Sequence, residues 1–518
     1  MFSSIDSVNV LTALLLKRGV RHVVVCPGSR NAPLVHNFNE SRGLVCVPVT
    51  DERSAGFVAL GLAQHSEEPV AVCVTSGSAL LNLVPAVAEA ACQHYPLIIV
   101  SADRPLYDID RLQGQTIHQP NALAPYTSVS VSLPDSPANQ EYTSLLINKA
   151  LIALNAADGR PVHINIPLPN TGLYSFDVPA LPDVKLVQYT SDLQTLTPTI
   201  NRAKTILLVL GQLHPFDALK YAGLFSNVSL LAEPIAAEHL PYTVNDKQLQ
   251  QLNAHSTEEI SPDLVIYIGG NTISKLLRQT LVRVTAACDV MMVNSSLELE
   301  DVTTHASHLV QADVHSFLDY LSTVVTTNRT HPLYPTESTP YVANPVSALI
   351  ASFESLVNPA TDYVYYANSS AIRLAAVHAR HYVFCNRGIN GIEGSLSTAV
   401  GAALACPSKK VYCVTGDLSF FYDQNALWLN TSQATSRPNL DNLRILLLNS
   451  GGGQIFNTLP NATASSAFSM IAAHHKTSAE HICRQYNIQY IMYTDSSSLQ
   501  EFTLSDRITI LEYNICGQ

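Results

Sequence analysis

The stretch Val411-Tyr412-Cys413-Val414-Thr415-Gly416-Asp417 is a predicted strand that ends at an acidic side chain. Further along the chain, a second apolar strand at residues 444–449 runs into Ser450 and the glycines 451–453. In a parallel sheet the carboxyl ends of both strands open at the same edge, where ligands bind. A carboxylate, a hydroxyl and a free carbonyl can hold Mg²⁺ there, because this ion takes about six oxygen ligands. The stretch therefore predicts a parallel α/β sheet with a metal site at Asp417, Ser450 and Gly452.

Two further features support a ligand site at this edge. The glycines 451–453 allow the backbone to approach a ligand closely. Residues 388–397 are mostly small and precede a predicted small-residue helix at 398–405, and a helix N-terminus favours a phosphate group. Taken alone, Gly416-Asp417 is equally well an ordinary turn at a strand end. With these two features the pattern favours a metal ion that is shared with a diphosphate.

Length and composition indicate a large folded protein of several domains. The 518 residues predict about three domains at roughly 150 residues each. Hydrophobic residues make up 47% and charged residues 14%, which favours large buried sheets over disorder. The net charge of −12 leaves no basic stripe, so nucleic acid is excluded as a partner. We also expect no membrane span, because no apolar run reaches about 18 residues, and no signal peptide.

Cysteine and histidine patterns indicate neither disulfides nor zinc. The ten cysteines form no Cys-x-x-Cys pair, and several lie in apolar runs, as Cys73 does. Reduced thiols of a cytoplasmic protein are the simple interpretation. The pairs His474-His475 and His305/His308 have no Cys or Glu partner at a diagnostic spacing, so we do not expect a zinc site.

Strands and helices alternate along the chain, which is typical of doubly wound parallel sheets. The first region has predicted strands at residues 21–26, 44–49, 70–74, 97–101 and 163–166, with helices at 55–65 and 79–91. The middle region has them at 205–210, 264–268 and 290–293, and the last at 363–366, 381–386, 411–415, 444–449 and 508–513. A polar stretch at 167–196 and a proline-rich one at 326–345 separate the regions. We therefore predict three α/β domains, at 1–182, 183–335 and 336–518.

Glu52 closes a predicted strand and precedes an apolar helix. It could be a carboxylate that interacts with the helix dipole. It could also be a carboxyl group whose pKa is raised by desolvation and that shares a proton with a ring nitrogen. The residues alone leave both interpretations open.

Four arginines follow predicted strands or lie beside small-residue turns: Arg30, Arg104, Arg373 and Arg387. Each could serve only solvation or ion pairing within the fold. Together they suit a substrate with several carboxylates, because guanidinium groups bind carboxylates in bidentate fashion.

Eight short motifs resemble those of one enzyme family, in the same order and over nearly the full length. They are Pro27-Gly28-Ser29-Arg30, Asp51-Glu52-Arg53, Thr75-Ser76-Gly77-Ser78-Ala79, Ala102-Asp103-Arg104-Pro105, Gln115-Thr116-Ile117-His118-Gln119-Pro120, Asn386-Arg387-Gly388, Gly416-Asp417-Leu418-Ser419 and Gly453-Gln454-Ile455-Phe456. They are similar to motifs of the MenD family, the 2-succinyl-5-enolpyruvyl-6-hydroxy-3-cyclohexene-1-carboxylate synthases of menaquinone biosynthesis. The middle region matches weakly.

The resemblance implies a transferase with the thiamine-diphosphate-binding fold, which uses thiamine diphosphate with Mg²⁺ or Mn²⁺. Its reaction is decarboxylation of 2-oxoglutarate and addition of the succinyl carbanion to isochorismate. By the same resemblance, Glu52 contacts the aminopyrimidine of the cofactor and promotes loss of the thiazolium proton. Asp417, Ser450 and the carbonyl of Gly452 hold the metal, and Ile455 bends the cofactor.

The resemblance also implies the other site residues and the assembly. Further cofactor contacts are Gly391, Ile392, Leu418, Ser419 and Phe456. The substrate pocket comprises Ser29, Arg30, Arg104, Gln115, Lys275, Ser369, Arg373 and Arg387. Besides Glu52, the residues Arg30, Arg104, Gln115, Arg373 and Arg387 are counted as catalytic. The active sites are shared between subunits of a homodimer or homotetramer.

Three positions depart from the family pattern. Ser450 replaces the usual second Asn of the metal motif, which predicts weaker Mg²⁺ binding. Leu276 stands where an arginine usually follows the pocket lysine, and helical spacing points the nearby Arg278 elsewhere. Gly114 stands where some relatives carry Asn. The alternatives are another thiamine-diphosphate 2-oxo acid decarboxylase or synthase, and a non-catalytic homologue that serves as a binding module.

Overall fold

The computed structural model describes residues 1–65, 68–135, 140–155, 159–335, 344–431, 439–459 and 461–515. The chain divides into two compact units. The first unit is Met1–Pro198 with Thr285–Phe317, and the second is Thr199–Val284 with Leu318–Gln518. The three-domain boundaries stay a prediction, and Pro340 of the proline-rich stretch lies outside the described residues.

The first unit contains a six-stranded parallel sheet in the order β2-β1-β3-β4-β6-β5. Its strands are β1 (His22–Val25), β2 (Val45–Pro48), β3 (Val70–Val74), β4 (Leu97–Asp103), β5 (Val129–Ser132) and β6 (Val162–Pro167). Its helices are α1 (Asp6–Lys17), α2 (Ala32–Glu40), α3 (Glu52–Gln64), α4 (Ser78–Asn82), α5 (Val84–Cys92) and α6 (Gln140–Ala153). The chain passes from β1 to β2 on one side and then to β3 on the other. Such a reversal leaves a crevice at the carboxyl ends of the strands.

Burial of both sheet faces explains the continuous apolar strands. Every residue of β3 and β4 is buried, as expected for a parallel sheet covered by helices on both sides. One apolar cluster includes α1, α2 and α6, and the other includes α3 and α5. The helix predicted at 79–91 is two helices, because Pro85 lacks the N–H that a continuous helix needs and lies in the first turn of α5.

The middle region adds six further strands, three in each unit, and those of each unit pair in parallel with one another. The first unit holds β7 (Gln188–Thr190), β11 (Asp289–Asn294) and β12 (His308–Gln311); the second holds β8 (Ile206–Leu210), β9 (Ser229–Ala232) and β10 (Leu264–Ile268). The helices here are α7 (Thr197–Arg202), α8 (Ala222–Asn227), α9 (Asp246–Asn253), α10 (Thr257–Ile260), α11 (Lys275–Val284) and α12 (Val314–Val324). The short strands β7, β9 and β12 were not predicted from the sequence, and neither was β5 of the first sheet, because so few residues show no clear pattern.

The second unit also contains a five-stranded parallel sheet in the order β13-β14-β15-β17-β16. Its strands are β13 (Asp362–Tyr366), β14 (Lys410–Gly416), β15 (Leu443–Asn449), β16 (Gln489–Met492) and β17 (Thr509–Asn514). Its helices are α13 (Pro345–Glu354), α14 (Ser370–His378), α15 (Ser395–Ala405), α16 (Asp417–Asp423), α17 (Phe468–Ile471), α18 (Glu480–Tyr486) and α19 (Ser496–Leu504).

The strand predicted at 381–386 was wrong. Only Phe384 of this segment forms an isolated parallel bridge, to Tyr365, and its ring stacks on the Tyr365 ring with centroids 4.7 Å apart. The apolar pattern there reflects aromatic packing against the edge of the sheet. The α/β fold class with three parallel sheets is confirmed. Among the described residues, we find no helix that is both long and apolar enough to span a membrane.

Candidate active site

The predicted metal ligands lie at the carboxyl ends of two neighbouring strands of the five-stranded sheet. Asp417 is the first residue of α16 and directly follows β14, and Ser450 directly follows β15. The two strands pair in parallel, with Gly416 opposite Leu448. The sheet therefore places both side chains at one edge, as the sequence predicted.

The buried Asp417 carboxylate organises the loop after β15. Its Oδ2 atom accepts hydrogen bonds from the backbone N–H groups of Ser450 and Gly452, at 2.8 and 3.0 Å, and its Oδ1 atom accepts one from Leu418 at 2.7 Å. The Ser450 hydroxyl lies 2.7 Å from the Gly452 carbonyl oxygen and 3.2 Å from Asp417 Oδ2. The three oxygens that we expect to bind the metal therefore lie close together. A carboxylate, a hydroxyl and a carbonyl oxygen are the kind of donors that Mg²⁺ prefers.

Glycine is required at two positions of this loop. Gly452 has φ +139°, and a Cβ atom there would lie 2.8 Å from the Ala472 carbonyl oxygen. A Cβ atom at Gly453 would lie 2.5 Å from the Phe456 ring. The glycine run therefore lets the backbone turn back on Asp417, and it leads directly into the 3-10 turn Gln454–Thr458, where Ile455 and Phe456 are half-buried.

His475 also lies at the sheet edge where the metal ligands are predicted. From the sequence this residue was assigned no role, because no zinc site was expected there. Its Nε2 atom is 3.3 Å from Asp417 Oδ2, and its side chain is 17% exposed. The Thr477 backbone N–H donates to His475 Nδ1 at 3.1 Å, which puts the neutral ring's proton on Nε2, facing the carboxylate. In the part of the chain that is described, no cluster of three or more His, Cys, Asp or Glu side chains could hold a metal.

Hydrogen bonds connect the segment that is predicted to bind the phosphate groups with the residues beside the predicted metal ligands. The Ser419 hydroxyl donates to the Ile392 carbonyl oxygen at 2.5 Å. Asn368 Nδ2 donates to the Gly391 carbonyl oxygen at 2.7 Å. The structure therefore brings Gly391, Ile392 and Ser419 together beside the half-buried Leu418. No sequence motif points to Asn368, because only its contacts in the folded chain show that it binds this segment.

Arg387 is the buried member of a cluster of arginines in the second unit. Its side chain donates to Asn368 Oδ1 at 3.1 Å and to the Thr272 carbonyl oxygen at 2.8 Å, and its buried Nε atom has no hydrogen-bond partner. Burial lowers the pKa of Arg387, and the charges of Arg278 and Arg373 lower it further. Positive charges held this close favour a ligand with more than one negative charge.

Arg278 is a half-buried residue of α11, and its charge helps to lower the pKa of Arg387. The direction in which its side chain points stays a prediction. Lys275 is the exposed first residue of α11. Ser369 has φ +71° at the residue before α14, and the exposed Arg373 follows in that helix.

In the first unit, Arg30 and Arg104 lie near each other. The Arg30 guanidinium is buried and donates to the carbonyl oxygens of Leu168 and Pro169, both at 3.0 Å, and to Asn170 Oδ1 at 2.8 Å. Burial lowers the pKa of Arg30, and the charge of Arg104 adds to this effect. Arg30 therefore braces the segment after β6, while Ser29 beside it is exposed.

A buried polar network supports Arg104 at the end of β4. Asp103 accepts from the Arg104 backbone N–H at 2.7 Å and from Asn165 Nδ2 at 2.9 Å. Burial raises the pKa of Asp103, and these hydrogen bonds oppose the effect. Ser101 links Asn165 to His163, since its hydroxyl lies 2.8 Å from both side chains. This network holds the half-buried Arg104 at the sheet edge.

Gln115 is exposed in a left-handed turn with φ +59°. Its backbone lies against Gly77, where an added Cβ atom would be 3.1 Å from Gln115 atoms. Gln119, a buried residue of the same motif, accepts from the Gly77 N–H at 2.7 Å. Sequence reasoning did not single out Gln119, which fixes the two motif loops to each other.

Glu52 is the half-buried first residue of α3, directly after the N-cap residue Asp51. It lies close to the thiol of Cys26, which follows β1. Burial, followed by the charges of Glu52 and Asp51, raises the pKa of Cys26 to about 12. This position at the crevice of the first sheet suits either interpretation of the carboxyl group, and the catalytic role of Glu52 stays a prediction.

Two domains of known enzymes match separate parts of the chain. Residues 6–123 match the thiamine pyrophosphate enzyme N-terminal TPP binding domain, and residues 367–503 match the C-terminal TPP binding domain of the same enzymes.

Curated relatives match the chain over nearly its whole length. The 2-succinyl-5-enolpyruvyl-6-hydroxy-3-cyclohexene-1-carboxylate synthase of Bacteroides thetaiotaomicron is 38% identical, covering 97% of this chain and 93% of the relative. The synthases of the same name from Phocaeicola vulgatus and Flavobacterium johnsoniae are 36% and 32% identical, covering 97% and 93% of this chain and 92% and 90% of the relatives. The chain therefore belongs to the 2-succinyl-5-enolpyruvyl-6-hydroxy-3-cyclohexene-1-carboxylate synthase family of thiamine pyrophosphate enzymes.

Proposed function

We propose that this chain is a transferase that decarboxylates 2-oxoglutarate and adds the remaining succinyl unit to isochorismate, a step of menaquinone biosynthesis. The observation that carries the proposal is the arginine cluster of Arg278, Arg373 and Arg387. A simple 2-oxo acid decarboxylase needs fewer cationic groups, whereas two polyanionic substrates need several. Family membership supports the same reaction.

Asp417, the Ser450 hydroxyl and the Gly452 carbonyl would hold Mg²⁺ or Mn²⁺ against the diphosphate of the cofactor. Their convergent oxygens support this assignment. Thiamine diphosphate supplies, when bound, the electron sink for decarboxylation of a 2-oxo acid. The His475 ring borders the same carboxylate, with its Nε2 atom 3.3 Å from Asp417 Oδ2.

Glu52 would be the residue that exchanges a proton with the aminopyrimidine ring of thiamine diphosphate. The carboxyl group lies at the start of a helix and is half-buried, so a ligand in the crevice can still reach it. This position suits a group that exchanges a proton with the ligand. Arg104 and the arginine cluster bind and orient substrate carboxylates. Arg30 holds the segment after β6 in place and adds positive charge beside Arg104.

We infer that two subunits share each active site. Exposed apolar side chains support a partner surface, since Phe57 and Val58 of α3 and Leu81 of α4 are 44%, 38% and 45% exposed. Mixing a Glu52→Gln variant with an Asp417→Ala variant tests the idea. Shared sites would return about a quarter of wild-type turnover through mixed dimers with one intact site, and sites within single chains would return none.

We also propose a cytoplasmic location. None of the nine cysteines in the described ranges forms a disulfide, which suits a reducing compartment.

The direct test is a spectrophotometric assay of isochorismate consumption with 2-oxoglutarate, thiamine diphosphate and Mg²⁺. We expect consumption that depends on all three. Rapid release of succinic semialdehyde without isochorismate would favour a simple decarboxylase. Absence of both turnover and cofactor binding by calorimetry would favour the non-catalytic homologue.

A further inference from the structure

Glu233 is a buried carboxylate that none of the predicted roles uses. It directly follows β9 and is 1% exposed. Its Oε2 atom accepts from the Ile273 backbone N–H at 2.5 Å, and its Oε1 atom accepts from the Ser274 N–H at 2.8 Å. A carboxylate that grips two successive amides with its two oxygens fixes the orientation of that peptide segment.

The segment that Glu233 grips leads directly into the substrate pocket predicted for the second unit. The helix α11 begins at the next residue, Lys275. Ser274 accepts from the Leu277 N–H at 3.1 Å and so caps the helix, and its hydroxyl donates to Asp246. A negative charge at this position also stabilises the helix N-terminus.

The same segment holds Arg387 through its carbonyl groups. Arg387 donates to the carbonyl oxygens of Thr272 at 2.8 Å and Ile273 at 3.5 Å. Asn271 Nδ2 donates to the carbonyl oxygens of Arg387 and Gly388, at 3.1 and 3.0 Å. Glu233 therefore holds the amide side of a turn whose carbonyl side holds Arg387.

We propose that Glu233 is a positioning residue for substrate binding: its carboxylate fixes the turn 271–274 and thereby sets the places of Lys275 and Arg387. This inference rests on the proposed function, because it assumes that those two side chains bind anionic substrates. Glu233 also places a negative charge near Arg387.

The surroundings of Glu233 make its hydrogen bonds to the turn depend on pH. Burial raises the pKa of Glu233 to about 7, and Asp246 on α9 adds to the rise; the amides of Ile273 and Ser274 and the charge of Arg387 oppose it. Protonation turns one acceptor oxygen into a donor that faces an N–H group. The grip on the turn therefore weakens below neutral pH.

The test compares Glu233→Gln and Glu233→Asp with a matched control, Glu354→Gln. Glu354 is a carboxylate of the same unit with a buried side chain, and its hydrogen bonds go to Tyr366 and His381 instead of to the turn. Glutamine at 233 keeps the shape but presents an NH₂ group to an amide N–H. We expect KM for at least one anionic substrate to rise about tenfold, as for the loss of one hydrogen bond to a charged group, with kcat changed by less than about threefold.

Two further measurements separate positioning from general stability. Wild-type KM should rise as pH falls from about 8 to 6, and this dependence should be absent in Glu233→Gln. Hydrogen exchange at the amides of residues 273 and 274 should be faster in Glu233→Gln than in wild type and Glu354→Gln. Glu233→Asp keeps the charge with a shorter reach, so its KM should lie between those of wild type and Glu233→Gln.

The outcomes distinguish this proposal from the function itself. An inactive wild-type protein would refute the proposed reaction. Hydrogen exchange at residues 273 and 274 would still show whether Glu233 fixes the turn, because it does not depend on activity. Unchanged exchange at 273 and 274, or an active Glu233→Gln enzyme with wild-type KM for both substrates, would overturn the positioning role. If Glu233→Gln does not fold, the same comparisons are made with Glu233→Asp.

Discussion

The Ser450 hydroxyl lies 3.2 Å from Oδ2 of Asp417, although the two residues belong to loops after different strands. The same hydroxyl contacts the Gly452 carbonyl oxygen at 2.7 Å. A serine at this position thus keeps its oxygen within the candidate metal site. Its side chain is shorter than that of asparagine, so it reaches less far from the strand end.

Replacing Ser450 by Asn should tighten Mg²⁺ binding, because the longer amide places its oxygen nearer to an ion held by Asp417. We expect a decrease of about tenfold in the Mg²⁺ concentration needed for half-maximal activity. Titration of Mg²⁺ in the isochorismate assay measures it, with calorimetry of metal binding as a second readout. Ser450→Ala is the matched control and should weaken binding. Identical metal dependence of Ser450→Asn and wild type would contradict the role of residue 450 as a ligand.

Glu52→Gln should lower kcat by about 10²- to 10⁴-fold, because the side chain keeps its shape but can no longer exchange a proton. Circular dichroism and thermal unfolding should match wild type, since the residue is only half-buried. Glu89→Gln makes the same chemical change at an exposed position of α5 and should leave turnover unchanged. Turnover of Glu52→Gln within a few-fold of wild type would show that the carboxylate only stabilises its helix.

Arg278→Ala should raise KM for one anionic substrate by about tenfold, because a charge beside Arg387 is lost. The KM values for 2-oxoglutarate and isochorismate, measured separately, identify which carboxylate it serves. The exposed neighbour Gln279 provides the control Gln279→Ala on the same helix. If both KM values stay at the wild-type level, Arg278 does not contribute to the pocket.

His163 should make the protein less stable in acid. Burial lowers the pKa of His163 to about 4, whereas an unfolded histidine titrates near 6.5. The unfolded state therefore binds more protons between these values, so the full contribution is present above about pH 6.5 and is lost as pH falls toward 4. The loss is about 3 kcal/mol of the free energy of unfolding.

Urea unfolding followed by circular dichroism at pH 7.5 and pH 5 measures the part of this loss that falls above pH 5, which is about 2 kcal/mol. His163→Gln, which can still bond to Ser101 and Ser130, should show a smaller decrease than wild type over that range. The exposed His65→Gln is the control and should keep the wild-type decrease. Equal decreases in all three proteins would mean that His163 does not titrate with unfolding.

The strand-end motifs were predictable because parallel sheets present the carboxyl ends of their strands at one edge. Asp417 and Ser450 follow neighbouring strands, as expected from the apolar runs before them. The same reasoning failed at 381–386, where apolar side chains pack as aromatic rings instead of forming a strand. It also missed β5, β7, β9, β12 and β16, because strands of three or four residues carry little periodic signal.

By itself, the sequence determined the α/β class, the family and the residue types at the strand ends, since these depend on local patterns of apolar, acidic and glycine residues. Only the tertiary structure decided that His475 faces Asp417, that the Arg278 charge acts on Arg387, and that Glu233 holds the turn before Lys275. These pairs join residues from separate strands and helices. Their distances depend on how the helices pack and how the backbone turns, and no spacing along the chain records that.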